Sequence, residues 1–133
     1  MEEITAARIV EVHDRIVIAG NGDCRTFSEA NLHMLVFRAN LITDPVPRAA
    51  FILYALTAYP AFREGNTETA LELAGQVLAS EGFRFSGRRA EIVALADGVL
   101  FCITEPENIE EWLYCNVEKT GVPKKYAAPQ ARG

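Results

Sequence analysis

The chain has 133 residues, 50% of them apolar, 23% charged and 9% aromatic, the profile of one globular domain and not of a disordered or fibrous chain. Thirteen basic against 18 acidic residues leave a net charge of -5 and a pI near 5.0, which argues against nucleic-acid binding through phosphates. The acidic start Met1-Glu2-Glu3 and the absence of a long uncharged apolar run argue against secretion and a membrane span, and point to the cytoplasm.

The spacing Ile9, Val12, Ile16, Val17 predicts a first helix over 5–19 with Thr5 as its cap, closed by Gly20-Asn21-Gly22. A second helix starts at Ser28-Glu29, buries Leu32, Leu35 and Val36, and ends near Asn40. Asp44-Pro45-Val46-Pro47 reads as a break before a strongly apolar helix over 49–59 that carries Phe51, Ile52, Leu53 and Leu56 and stops at Pro60. With Asn66 as N-cap, a fourth helix over 67–80 turns Ala70, Leu71, Ala74, Val77 and Leu78 inward and ends at Gly82.

Phe83-Arg84-Phe85 is short enough only for an extended piece. A buried helix over 88–103 follows, apolar on more than one side through Ile92, Val93, Leu95, Ala96, Val99 and Leu100. Thr104-Glu105-Pro106-Glu107 then opens a last helix with Ile109, Trp112, Leu113 and Val117. The expectation is an all-α, single-domain orthogonal bundle of about six helices over 1–117, with a poorly ordered tail over 118–133. Cys24, Cys102 and Cys115 have neither metal-site nor disulfide-framework spacing, so they read as free thiols, Cys102 and Cys115 as small core residues on helices.

Between the third and fourth helices, Phe62-Arg63-Glu64-Gly65-Asn66-Thr67 delivers free backbone N–H groups and a positive helix dipole end to one open spot. Gly65, Asn66 and Thr67 are therefore candidate phosphate or anion ligands, and Glu64 is a candidate residue for a divalent cation. By spacing alone the alternative is a plain helix cap.

The stretch Phe62 to Ala70 resembles the signature of the Fic/Doc (death-on-curing) family, His-x-Phe-x-(Asp/Glu/Asn)-Gly-Asn-Lys-Arg-Thr-Ala. Glu11-Val12-His13-Asp14-Arg15 is similar to the Glu-Ile-His-Asp stretch that opens such sequences, and the order of helices stays in register over about residues 4–117. The resemblance implies a helical domain whose active members transfer AMP or phosphate from ATP to a protein hydroxyl. It implies a motif His as general base, a Gly-Asn helix start that cradles phosphate, an acidic residue on Mg²⁺ and a Lys-Arg pair that neutralises charge.

The chain departs from that pattern where the chemistry is done. Ungapped, Pro60 stands at the His position and Thr67 and Glu68 replace the basic pair; a one-residue shift sets Tyr59-Pro60 against the family's common His-Pro, and neither alignment supplies an imidazole. The expectation is a catalytically silent protein that binds a partner, as toxins of this family bind an antitoxin segment. The alternative is an Mg²⁺-dependent AMP- or phosphate-transferase that uses ATP and a non-standard base. His13 reads as a structural hydrogen-bonding residue and His33 as a surface or partly buried one. Arg84, Arg88 and Arg89, with the acidic cluster Glu105, Glu107, Glu110 and Glu111, read as solvated charges that suit helix ends.

Overall fold

The computed structural model describes residues 1–120. Its elements run α1 (Ala6–Ala19), α2 (Glu29–Leu41), α3 (Pro45–Ala58), α4 (Asn66–Ser80), β1 (Phe83–Phe85), α5 (Arg89–Leu100), α6 (Pro106–Cys115) and β2 (Val117–Lys119). The fold is all-α, with six helices and a single two-stranded ribbon among the described residues.

Helix α3 is the hub. It touches α2, α4, α5 and α6, because nearly all its residues are apolar and no side of it can be left to water. Ile52, Leu53 and Leu56 of α3 meet Ala70, Ala74, Val77 and Leu78 of α4 in one core, to which α1 adds Ile9 and Val12 and α6 adds Ile109 and Leu113. Each fully buried Leu or Ile contributes roughly 1.5–3 kcal/mol relative to an exposed one, so this α3–α4 seam dominates the stability.

Four expectations need correction. Asp44-Pro45-Val46-Pro47 is not a break: Pro45 and Pro47 occupy the first turn of α3, with Asp44 as N-cap, where a missing N–H leaves no hydrogen bond unmade. The early start buries Arg48, whose guanidinium donates to the carbonyls of Glu2 and Ile42 and pins the N-terminal segment to α3.

The expected tail is ordered at its beginning. Val117 leaves the last helix, and Val117, Glu118 and Lys119 pair antiparallel with Phe85, Arg84 and Phe83. Arg84 reaches Glu118 across the ladder at 3.1 Å. Residues 121–133, including Lys124-Lys125, lie outside the described residues.

Helix α5 is shorter than expected and is buried on one face only, through Ile92, Ala96 and Val99; Leu100 is exposed and Ile103 lies beyond the helix end. Cys102 and Cys115 are likewise exposed, not core residues: Cys102 stands in the turn after α5 with φ 59, and Cys115 is the last residue of α6. All three thiols are free.

Candidate functional site

The loop between α3 and α4 is fixed from three directions. Thr26 forms a β-bridge with Phe62, the N–H groups of Phe27 and Ser28 donate to the Ala61 carbonyl, and Arg63 N–H donates to the Arg25 carbonyl. From the other side, His13 of α1 is fully buried, donates from Nε2 to the Glu64 carbonyl at 2.8 Å and stacks on the Phe62 ring at 3.6 Å. Its Nδ1 lies 3.1 Å from Asp14 Oδ1.

Gly65 then turns the chain into α4 with φ 80, a left-handed conformation. A Cβ there would sit 2.6 Å from Val17 of α1. Both the dihedral and the approach of α1 therefore demand glycine.

Gly65, not Asn66, is the N-cap of α4, and no side chain caps this end. The reason is visible in the Asn66 side chain, which is committed to the loop behind it. Its Oδ1 accepts from the N–H groups of Ala61 and Phe62, and its Nδ2 donates to the Phe62 carbonyl at 2.9 Å.

Glu64 is committed as well. Its carboxylate accepts the Asp23 N–H at 3.1 Å and lies against Gly22, where a Cβ would meet it at 2.6 Å. Asp23 in turn binds Arg25 through both main chain and side chain, and the Arg25 hydrogen bond holds the Asp23 carboxyl down to about 2. Next to it, partial burial and the Asp14 carboxylate push the Cys24 thiol up.

On the outer side of the loop, Gly65, Asn66, Thr67 and Glu68 border a cavity of ≈ 490 Å³ whose other walls include Phe27, Pro60, Phe62, Arg63 and Leu100. Pro60 stands directly on this cavity, and Tyr59 is the half-exposed C-cap of α3. Neither histidine faces it. His13 lies behind the loop, and His33 is exposed on α2 beside Glu29 at 3.5 Å.

The structure thus brings Gly65, Asn66 and Thr67 together at one open helix start and sets the Glu64 carboxylate on the 22–23 turn instead. Among the described residues no group of three or more His, Cys, Asp or Glu side chains could hold a metal ion. A nucleotide with its cation needs more positive charge here than Arg63 alone supplies: Thr67 is uncharged, Glu68 is acidic and Glu64 Oε2 already accepts the Asp23 N–H, so the residues present do not fit that group.

Glu68 is paired with Arg89 at 3.4 Å, and this pair lies on the lip of a second, larger cavity of ≈ 530 Å³. Ile16, Leu71, Phe85, Ile92 and Trp112 line that groove, Gly75 and Ala79 of α4 keep it open, and Glu72 and Arg88 stand at its edges. Sequence reading missed it because its walls come from α1, α4, β1, α5 and α6 together. The one local signal was Gly75 within an otherwise well-formed helix.

Comparison with protein-family models and with curated proteins returns no match for this chain. No described helix is long and apolar enough to cross a membrane.

Proposed function

We propose that the chain is a degenerate relative of the Fic/Doc (death-on-curing) proteins that has no transferase activity and works by binding a protein segment, in the manner of a toxin–antitoxin pair. One observation carries this reading: each side chain that the resembled motif would use as base, cation or metal ligand is either replaced or hydrogen-bonded within the fold, although the start of α4 itself stays open. Pro60 stands where the base would be, Thr67 and Glu68 where the cations would be, and the Glu64 and Asn66 side chains hold neighbouring turns. Loss of a general base alone lowers such a rate by roughly 10²–10⁴-fold.

The groove along α4 supports the binding half of the reading. An apolar floor rimmed by Glu68 and Glu72 of α4 and by Arg88 and Arg89 at the start of α5, with Glu68 and Arg89 paired to each other, suits an amphipathic helix laid in a groove. The free thiols fit a reducing compartment, which we take to be the cytoplasm.

The test is incubation of the purified chain with Mg²⁺, labelled ATP and candidate protein acceptors. No transfer of AMP or phosphate is expected, and a robust transfer abolished by Glu64→Ala overturns the reading. For the partner, the product of the adjacent reading frame is expected to co-purify with the chain and to be lost on Trp112→Ala, the change that opens one groove wall.

A further inference from the structure

Leu100-Phe101-Cys102-Ile103 leaves the end of α5 as an unbroken apolar run, with Leu100 61%, Phe101 73% and Ile103 77% exposed and Cys102 exposed between them. Ordinary surfaces scatter apolar side chains singly, and an exposed run of this length is a fault unless another surface covers it. The turn is held firmly. Cys102 adopts φ 59, and the N–H groups of Ile103 and Thr104 both donate to the Gly98 carbonyl, at 2.8 and 3.1 Å. The Thr104 hydroxyl occupies the space that any Cβ on residue 98 would need. A left-handed non-glycine residue and a missing side chain together keep the run aimed outward.

Leu100 is at the same time a wall of the ≈ 490 Å³ cavity at the Gly65-Asn66 turn, with Phe27, itself 61% exposed, as another wall. The surface therefore carries a projecting phenylalanine, Phe101, next to an apolar recess. We propose that this surface is the interface of a two-fold dimer of this chain, in which Phe101 of each copy enters the cavity of the other.

Three features select a second copy as the occupant. The projection and the recess are neighbours, so one two-fold rotation satisfies both at once and the assembly closes at two. The charges suit a second copy: of the two charged residues on the cavity, Glu68 is already paired with Arg89, which leaves Arg63 on the rim to meet the exposed Glu105 or Glu107 that follow the apolar run of the other copy. Those same carboxylates oppose an anionic lipid surface.

The third feature is area. Phe27, Tyr59, Leu100, Phe101 and Ile103 are 48–77% exposed, and large side chains of this kind bury about 150–250 Å² each, so the five offer roughly 500 Å². With the polar rim this approaches the about 800 Å² per partner of a standard stable interface. The dimer would close the cavity at the Gly65-Asn66 turn, which shares only Glu68 with the groove along α4, and its argument does not rest on the function proposed above.

Sedimentation velocity on the full chain tests the proposal. The expected result is a concentration-dependent monomer–dimer equilibrium with a micromolar midpoint. Phe101→Asp is expected to weaken it at least tenfold with an unchanged helical circular dichroism spectrum, since Phe101 lies outside the core. Arg63→Glu is expected to weaken it, and Arg63→Glu combined with Glu105→Arg to restore it. A wild-type chain that stays monomeric at several hundred micromolar overturns the proposal and leaves the run to a different protein; so does a dimer indifferent to Phe101→Asp.

Discussion

His13 Nε2 donates to the main-chain carbonyl of Glu64 at 2.8 Å, joining α1 to a loop 51 residues further on. The same ring stacks on Phe62 with an interplanar angle of 9°. One buried side chain thus fixes both the backbone of the α3–α4 loop and the aromatic residue that anchors it.

Replacing it separates those two contributions. His13→Ala removes the ring stack and leaves the Glu64 carbonyl unsatisfied beside a cavity, and is expected to cost about 3 kcal/mol or more. His13→Phe keeps the ring and loses the donor, so about 1–2 kcal/mol is expected. Urea unfolding of the two variants checks the order; equal losses would mean that the ring stack contributes nothing beyond the hydrogen bond.

At Gly65 the left-handed φ of 80 and the 2.6 Å approach of Val17 act on the same atom. Gly65→Ala is therefore expected to destabilise by about 2 kcal/mol or more. The shift in thermal midpoint measures it. By contrast, Gly20→Ala, with φ -100 at residue 20 and only the Val17 carbonyl oxygen at 3.8 Å from a Cβ, is expected to be close to neutral.

The open start of α4 favours an anion by about 0.3–2 kcal/mol, and the carboxylate of Glu68 in the first turn opposes it by a comparable amount. Since the two nearly cancel, sulfate or phosphate binding no tighter than the millimolar range is expected, about -4 kcal/mol as the upper limit of affinity, with ATP no tighter. Glu68→Arg is expected to tighten phosphate several-fold in calorimetry. Micromolar ATP binding by the wild type, or no gain from Glu68→Arg, contradicts this balance.

Asp23 titrates near 2 in the folded chain against an ordinary 3.8, chiefly because Arg25 hydrogen-bonds its carboxylate. A depressed folded value means that its contribution to stability is complete above the unfolded value and is lost as pH falls through about 2. Carbon-detected NMR titration of Asp23 should give the low midpoint in the wild type and a return toward 3.8 in Arg25→Ala. The loss of stability on acidification over this window should be smaller in that variant.

The helices whose apolar residues recur with helical period are readable from the residues alone. The caps Thr5 and Ser28, the inward faces of α1, α2 and α4, and the buried character of α3 were all legible because periodicity and capping are local properties. His13 was legible as a structural residue, though not its partner. Pro45 and Pro47 misled because proline breaks a helix interior but suits its first turn, and only the packing of Arg48 beneath the N-terminal segment shows which applies.

Whatever depends on contacts distant in sequence was decided by the tertiary structure alone. The strand at 117–119 exists because Phe83–Phe85 lies alongside to pair with it, and three residues carry too little pattern to announce that. Asn66 follows a glycine just as an N-cap would, yet its amide is drawn to the Ala61 and Phe62 main chain, leaving Gly65 to cap. Glu64 has the spacing of a cation ligand, but the turn at Gly22-Asp23 comes within hydrogen-bonding distance and takes its carboxylate. A side chain's hydrogen-bonding capacity is written in the sequence; which of several competing partners satisfies it depends on what folding brings within about 3 Å.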